Sequence, residues 1–159
     1  MKALKIISGG QTGVDRAALD VARARGIKCG GWCPAGRLDE FGKIPDQYPV
    51  HELPGDGVTE RTLQNVKDSD GTVVIFHGEL YGGTEQTLRF CVDLKRPYQL
   101  IDASKISAEA AANLIVEFVC KNKIGILNIA GPRQSEWPKG YAYASRAVDI
   151  FLMLRQFIG

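Results

Sequence analysis

The apolar pattern of this sequence predicts an α/β domain, a doubly wound and mostly parallel sheet of about six strands with helices on both faces. Three observations predict it. Short apolar runs alternate with helix-periodic segments from end to end, as they do when each helix carries the chain back across a parallel sheet. One run, Thr72-Val73-Val74-Ile75-Phe76, has no solvent-facing alternation, which suits a strand covered on both sides. The length, 159 residues, is that of one ordinary domain. About two-thirds of the unfolded surface can be buried at that size, so residues 1–159 are read as one unit needing no staples.

Each element has its own warrant. Leu4 to Ser8 is the first strand, stopped by Gly9-Gly10. Val14, Ala17, Ala18, Val21 and Ala22 then share one helical face, and Gly26 closes that helix. Ile27 to Cys33 is the second strand, interrupted by Gly30-Gly31. Pro34 to Gly57 is rich in Gly, Pro and Asp, and only Val50 to Leu53 reads as a short third strand. A helix over Val58 to Asp68 leads to the fourth strand, Gly71 to His77. The helix from Thr84 to Leu94 has a stripe of Thr84, Thr87, Leu88, Cys91 and Val92. Pro97 to Ile101 is the fifth strand, and Ser107 N-caps a helix striped by Ala111, Leu114, Ile115, Phe118 and Val119. Ile124 to Ala130 is the sixth strand; Ala144, Ala147, Val148, Phe151 and Leu152 mark the closing helix.

Composition excludes several classes. Hydrophobic residues make up 45% and charged residues 24%, so the chain can bury a core and is not disordered. Lysine and arginine outnumber aspartate and glutamate only by 20 to 18, which argues against nucleic acid as partner. No apolar run approaches the roughly 18–20 residues that span a bilayer, so no membrane partner is expected. The first eight residues turn to glycine before a secretory apolar stretch could form. A cytoplasmic protein is the expectation. Cys29, Cys33, Cys91 and Cys120 are read as reduced structural thiols, because no second Cys pair or neighbouring His completes a zinc set. His51 and His77 stand alone.

The commonest six-strand order, 3-2-1-4-5-6, sets strand 1 beside strand 4 and places the ligand at the carboxyl ends there. The loops leaving those strands are Gly9-Gly10-Gln11-Thr12-Gly13 and Gly78-Glu79-Leu80-Tyr81-Gly82-Gly83-Thr84. Both are glycine-rich and both run into a helix, whose first-turn amides and dipole favour an anion, usually phosphate. Thr12, Thr84 and Thr87 could add hydroxyl donors. The strand-6 loop adds Gly131 and Arg133, and the strand-2 loop adds Arg37, with Asp39 and Glu40 behind it. Either arginine could hold a phosphate in bidentate fashion or lie solvated in its loop. Asp15 suits the helix dipole and equally a catalytic role; Glu79 and Glu85 are the carboxylates near the second loop. Trp32 and Tyr81 could stack on a heterocycle or simply pack. Neither loop is a dinucleotide fingerprint and no P-loop exists, so NAD and NTP chemistry is disfavoured.

Taken together these segments resemble a known family. The stretch from Ile7-Ser8-Gly9-Gly10-Gln11-Thr12-Gly13 to Asp20, with Gly31-Trp32-Cys33-Pro34-Ala35-Gly36-Arg37, Ile44-Pro45-Asp46 and Asn65 to Thr72, is similar to the putative molybdenum carrier family. Gly82-Gly83-Thr84 and Leu127 to Arg133 complete the match over nearly the whole chain. The resemblance implies a Rossmann-like fold related to the lysine-decarboxylase-like proteins. It further implies a phosphate-bearing ligand, with molybdenum cofactor, a phosphorylated pterin, the leading candidate. Some of those relatives instead cleave the N-glycosidic bond of nucleoside 5'-monophosphates through the glutamate of a PGGxGTxxE pattern. Here Tyr81-Gly82-Gly83-Thr84-Glu85-Gln86-Thr87 stands in that place, and Glu85 points elsewhere around the helix. A hydrolase using Glu85 with Arg133 or Arg16 is therefore the second reading. A ligand-sensing or structural domain that works as a homo-oligomer is the third. The expected ligand contacts are Gly9, Gly10, Gln11, Thr12, Gly13, Arg37, Gly82, Gly83, Thr84, Thr87, Gly131 and Arg133.

Overall fold

The computed structural model describes residues 3–55 and 57–158. Its centre is a five-stranded, fully parallel sheet. The strands are β1 (Lys5–Ile7), β2 (Lys28–Gly30), β7 (Gly71–Phe76), β8 (Tyr98–Asp102) and β9 (Ile126–Ala130), in the order β2-β1-β9-β7-β8. Two small pairs lie outside it. β3 (Trp32–Pro34) runs parallel to β6 (His51–Leu53), and β4 (Leu38–Asp39) forms a hairpin with β5 (Gly42–Lys43). The helices are α1 (Val14–Ala24), α2 (Val58–Asp68), α3 (Gly82–Asp93), α4 (Ala108–Lys121) and α5 (Gly140–Arg155). Helices α1 and α4 flank α5 in one layer, and α2 packs against α3 in the other. This is a Rossmann-like α/β architecture.

The sheet order corrects the expected 3-2-1-4-5-6. The sixth strand, β9, inserts between β1 and β7, and the third, β6, leaves the central sheet. Burial explains both changes. In β9 Leu127, Asn128 and Ile129 are inaccessible or nearly so, which demands neighbours on both sides, whereas β2 and β8 carry exposed residues and suit the edges. Asp70 anchors the arrangement by accepting the amides of Gly125 and Ile126 at 2.9 and 2.8 Å, tying the start of β9 to that of β7. The expected second strand is in fact two, broken at Gly31. There φ is 126°, and a Cβ would lie 2.0 Å from the Ser8 carbonyl, so the chain bends past β1 and pairs afresh with β6.

The main core lies between the sheet and the α1-α5-α4 layer, with Phe151, Ile6, Ile75, Ile115 and Leu127 at its centre. A second, smaller core of Leu19, Cys33, Ile44, Tyr48 and Val50 holds the segment between β3 and β6 against α1. Ser107 caps α4 as its position predicts, accepting from the Ala110 amide at 3.1 Å. Among the described residues no helix is long and apolar enough to cross a membrane.

Candidate functional site

All five central strands point the same way, so the loops after β1, β7 and β9 meet at one edge. They enclose a cavity of about 200 Å³. Its floor is Gly9, Asp15 and Arg61; one wall is the first turns of α3, with Gly82, Gly83, Thr84 and Thr87. The opposite wall is Ala130, Gly131, Arg133 and Glu136 after β9, and Asn65 and Asn128 close the rear.

The floor is built around an unusual arginine. Arg61 projects from α2 and is buried, with 8% of its side chain accessible. Its Nη1 donates to the Gly9 carbonyl at 2.7 Å and lies 3.7 Å from Asp15 Oδ2, while its buried Nε has no hydrogen-bond partner among the described residues. A guanidinium carries five donors, and leaving them unmet away from water is costly. Asp15 is buried beside it and accepts the Gln11 amide at 3.4 Å. Burial pushes its carboxyl up to about 6, against the opposing pull of Arg61, the Gln11 amide, Arg16 and the Gly131 amide. Gly9 has to be glycine because of this contact: a Cβ there would lie 1.7 Å from Arg61 Nη1.

At the rim, Arg133 sits between two carboxylates, 3.5 Å from Glu136 and 3.8 Å from Glu40, and is half exposed. For Glu40, burial pushes its carboxyl upward. Hydrogen bonds from Ser135 and Thr12, with the charge of Arg133, outweigh that and hold it below its ordinary range. The wall at α3 is a helix start without a side-chain cap. Thr87 spends its hydroxyl on the Gly83 carbonyl at 3.0 Å, and a Cβ on Gly83 would meet no atom within 4 Å.

The expected contacts divide into two groups. Gly9, Gln11, Gly82, Gly83, Thr84, Thr87, Gly131 and Arg133 come together around the cavity. Gly10, Thr12, Gly13 and Arg37 do not line it. Gly10 has φ 75° and directs its Cβ position toward Ile44 and Val50. Thr12 hydrogen-bonds Glu40 and accepts the Gln134 amide at 3.1 Å, and with Gly13 it faces a separate open groove of about 300 Å³ beside Arg16, Asp39 and Phe41. Arg37 gives its donors to the carbonyls of Ile44, Pro45, Tyr48 and Val50, and so organises its own loop. Glu85 pairs with Arg89 at 2.6 Å outside the cavity. Arg16 is spent on the Gly10 carbonyl and on Asp39. Trp32 does not line the cavity; its backbone is held by Asn65 and its indole nitrogen donates to Asp68 at 2.7 Å. Tyr81 precedes α3 and is 46% exposed.

Arg61 and Asn65 escaped the reading of the sequence. Their signal was there: Val58, Arg61, Thr62 and Asn65 recur at i, i+3, i+4 and i+7, a largely polar stripe that faces the cavity. Among the described residues no group of three His, Cys, Asp or Glu side chains could hold a metal ion.

The fold and this cavity define a Rossmann-like α/β protein with an arginine-floored polar site at the carboxyl edge of its sheet. The model of the circularly permutated YpsA SLOG family matches residues 6–152, and the chain belongs to that family. It is also similar to the solved structure of a putative molybdenum carrier protein from Syntrophus aciditrophicus. The two share 47% identity over 95% of this chain and 96% of that one, with a TM-score of 0.92. No curated protein matches the chain.

Proposed function

We propose that this protein binds a phosphorylated small molecule in the cavity and carries it rather than transforming it, with molybdenum cofactor as the cargo. The observation that carries the reading is Arg61, a buried cation on the floor of an open polar cavity whose guanidinium makes one hydrogen bond among the described residues, to the Gly9 carbonyl at 2.7 Å. A phosphate oxygen offers that guanidinium a second acceptor beside the Gly9 carbonyl, in competition with Asp15 for its charge. The uncapped start of α3 offers further free amides on the facing wall, and Arg133 lies half exposed at the rim beside Glu40 and Glu136.

The volume is informative. Sites that enclose a drug-sized ligand run to about 300–1,000 Å³, so a cavity of about 200 Å³ takes one end of such a ligand. That end is the phosphate, with the heterocycle extending toward the rim. The pterin is favoured by the similarity to the Syntrophus aciditrophicus protein, whose name carries molybdenum. With no cluster of metal ligands among the described residues, recognition falls on phosphate and ring. The hydrolase alternative is weakened because Glu85 is turned to Arg89 outside the cavity.

The test is mass spectrometry of ligand released from purified protein, with calorimetric titration of AMP, GMP and inorganic phosphate. The reading expects a bound phosphate ester, and an affinity at least about tenfold weaker in Arg61→Met, since a hydrogen bond to a charged group contributes about 1.5–3 kcal/mol. Equal affinities in the wild type and Arg61→Met would refute it.

A further inference from the structure

We propose that this cavity takes up an oxyanion together with one proton, and that Asp15 carries that proton and donates it to the ligand as a hydrogen bond. The inference rests on the anion-binding reading above and adds to it a ligand-binding residue and a pH dependence.

The geometry makes the coupling unavoidable once an anion enters. Asp15 and Arg61 share the floor, 3.7 Å apart, and both line the same cavity of about 200 Å³. An ionised Asp15 would face the incoming anion at close range and would hold part of the Arg61 charge for itself. Protonation removes that repulsion, frees Arg61 for the ligand, and turns the acceptor oxygen into a donor. Of the groups facing Asp15, only Glu136 is a second carboxylate on the same cavity, and the Asp15→Asn variant separates the two. From its own helix Arg16 bonds the Gly10 carbonyl and Asp39; from the loops come the Gln11 and Gly131 amides; across the cavity stand Arg133 and Glu136. Neither histidine lines the cavity. Burial already brings Asp15 up to about 6 in the free protein, and a nearby anion pushes it in the same direction, toward holding the proton at neutral pH.

Linkage fixes the form of the effect. Between the titration points of Asp15 in the free and the occupied site, binding takes up as much as one proton. Affinity then falls by up to about tenfold per pH unit as pH rises. Below about pH 5.5 Asp15 is protonated in both states and the profile flattens.

The probe is sulfate, which stays doubly charged throughout and so contributes no titration of its own. Calorimetry on the full chain from pH 5 to 8, in pairs of buffers with different ionisation enthalpies, counts protons directly and needs no variant. The expected results are net proton uptake near pH 6.5, affinity falling from about pH 6 upward, and a flat profile with no uptake in Asp15→Asn. Binding that is independent of pH without proton uptake would overturn the proposal and leave the anion site standing. A slope that persists in Asp15→Asn would overturn it as well. Failure of sulfate, phosphate and AMP to bind at any pH would overturn both readings together.

Discussion

Gly9→Ala is the most economical probe of the cavity floor, because it changes one methyl group and the backbone tolerates it. Gly9 does not adopt a positive φ, unlike Gly10 and Gly13. Its need for glycine therefore comes from proximity alone. The added carbon would lie 1.7 Å from Arg61 Nη1 and 2.7 Å from Cζ, where ordinary contact begins near 3.4 Å. The guanidinium is the far end of a flexible chain and must retreat, and in doing so it gives up its 2.7 Å bond to the Gly9 carbonyl. A hydrogen bond from a charged donor contributes about 1.5–3 kcal/mol. For a domain of this size each kcal/mol lowers Tm by about 2–4 °C. The same displaced cation is the one assigned to the ligand, so affinity for AMP should fall roughly 10- to 150-fold, which is the same energy range expressed as binding. Thermal melts and calorimetry on the two proteins measure both. An alanine variant with wild-type Tm and wild-type affinity would refute the argument that Arg61 is held against Gly9 in order to bind an anion.

Two more outcomes follow from the same geometry. Gly83→Val puts branches into open space on the cavity wall, so it should weaken binding of an elongated phosphate ester while leaving the urea midpoint nearly unchanged; wild-type affinity for such an ester would remove α3 from the site. Asp15→Asn should raise stability at pH 7.5 by up to about 3 kcal/mol, because the buried carboxyl titrates at about 6 in place of 3.8. The sign follows from the direction: the folded state holds this proton more tightly than the unfolded one. That contribution is complete below about pH 4 and is lost as pH rises toward 6, so the two proteins should converge in acid; a wild type more stable than the variant at pH 7.5 would show that the charge is favourable where it sits.

What could be read from the sequence was whatever burial alone determines. The Thr72-Val73-Val74-Ile75-Phe76 run announced a strand covered on both faces, and all five of its residues are buried. The α1 stripe of Val14, Ala17, Ala18, Val21 and Ala22 is likewise buried. Strand order was not legible, because an apolar pattern reports how many sides are covered and not by which neighbour. The hairpin of β4 and β5 was missed because its strands are two residues each, too short to show an alternation. Gly31 was noticed only as a weakness in a strand, since its real constraint, the Ser8 carbonyl, comes from another segment. Thr12 and Arg37 looked like ligand donors because a sequence cannot show that Glu40 and four loop carbonyls will claim them first. Arg61 was overlooked for the converse reason. An arginine on an amphipathic helix reads as solvent-facing, and only a polar cavity makes its burial tolerable.

The error in strand order left the location of the site intact and changed its chemistry. In a parallel sheet every carboxyl end lies on one edge, so the glycine loops meet there whatever the order. With β1 beside β7 they would be one strand spacing apart, about 4.8 Å, close enough to wrap a single phosphate between them. Because β9 stands between β1 and β7, the separation becomes about 10 Å, two such spacings. The turn after β9 packs closely between its neighbours at Gly131, where a Cβ would collide with the Ile75 carbonyl at 2.4 Å and with Val14 at 2.7 Å. Gly131 lines the cavity between the two loops. One end is therefore Arg61 and Asp15 over β1, and the other is the start of α3 after β7, with Arg133 between them at the rim. Two separated polar ends suit an elongated phosphate ester better than an isolated phosphate. Ligands that offer a second polar group about 10 Å from the phosphate should thus gain affinity over inorganic phosphate, and that gain should vanish in Gly83→Val before it vanishes in Arg61→Met.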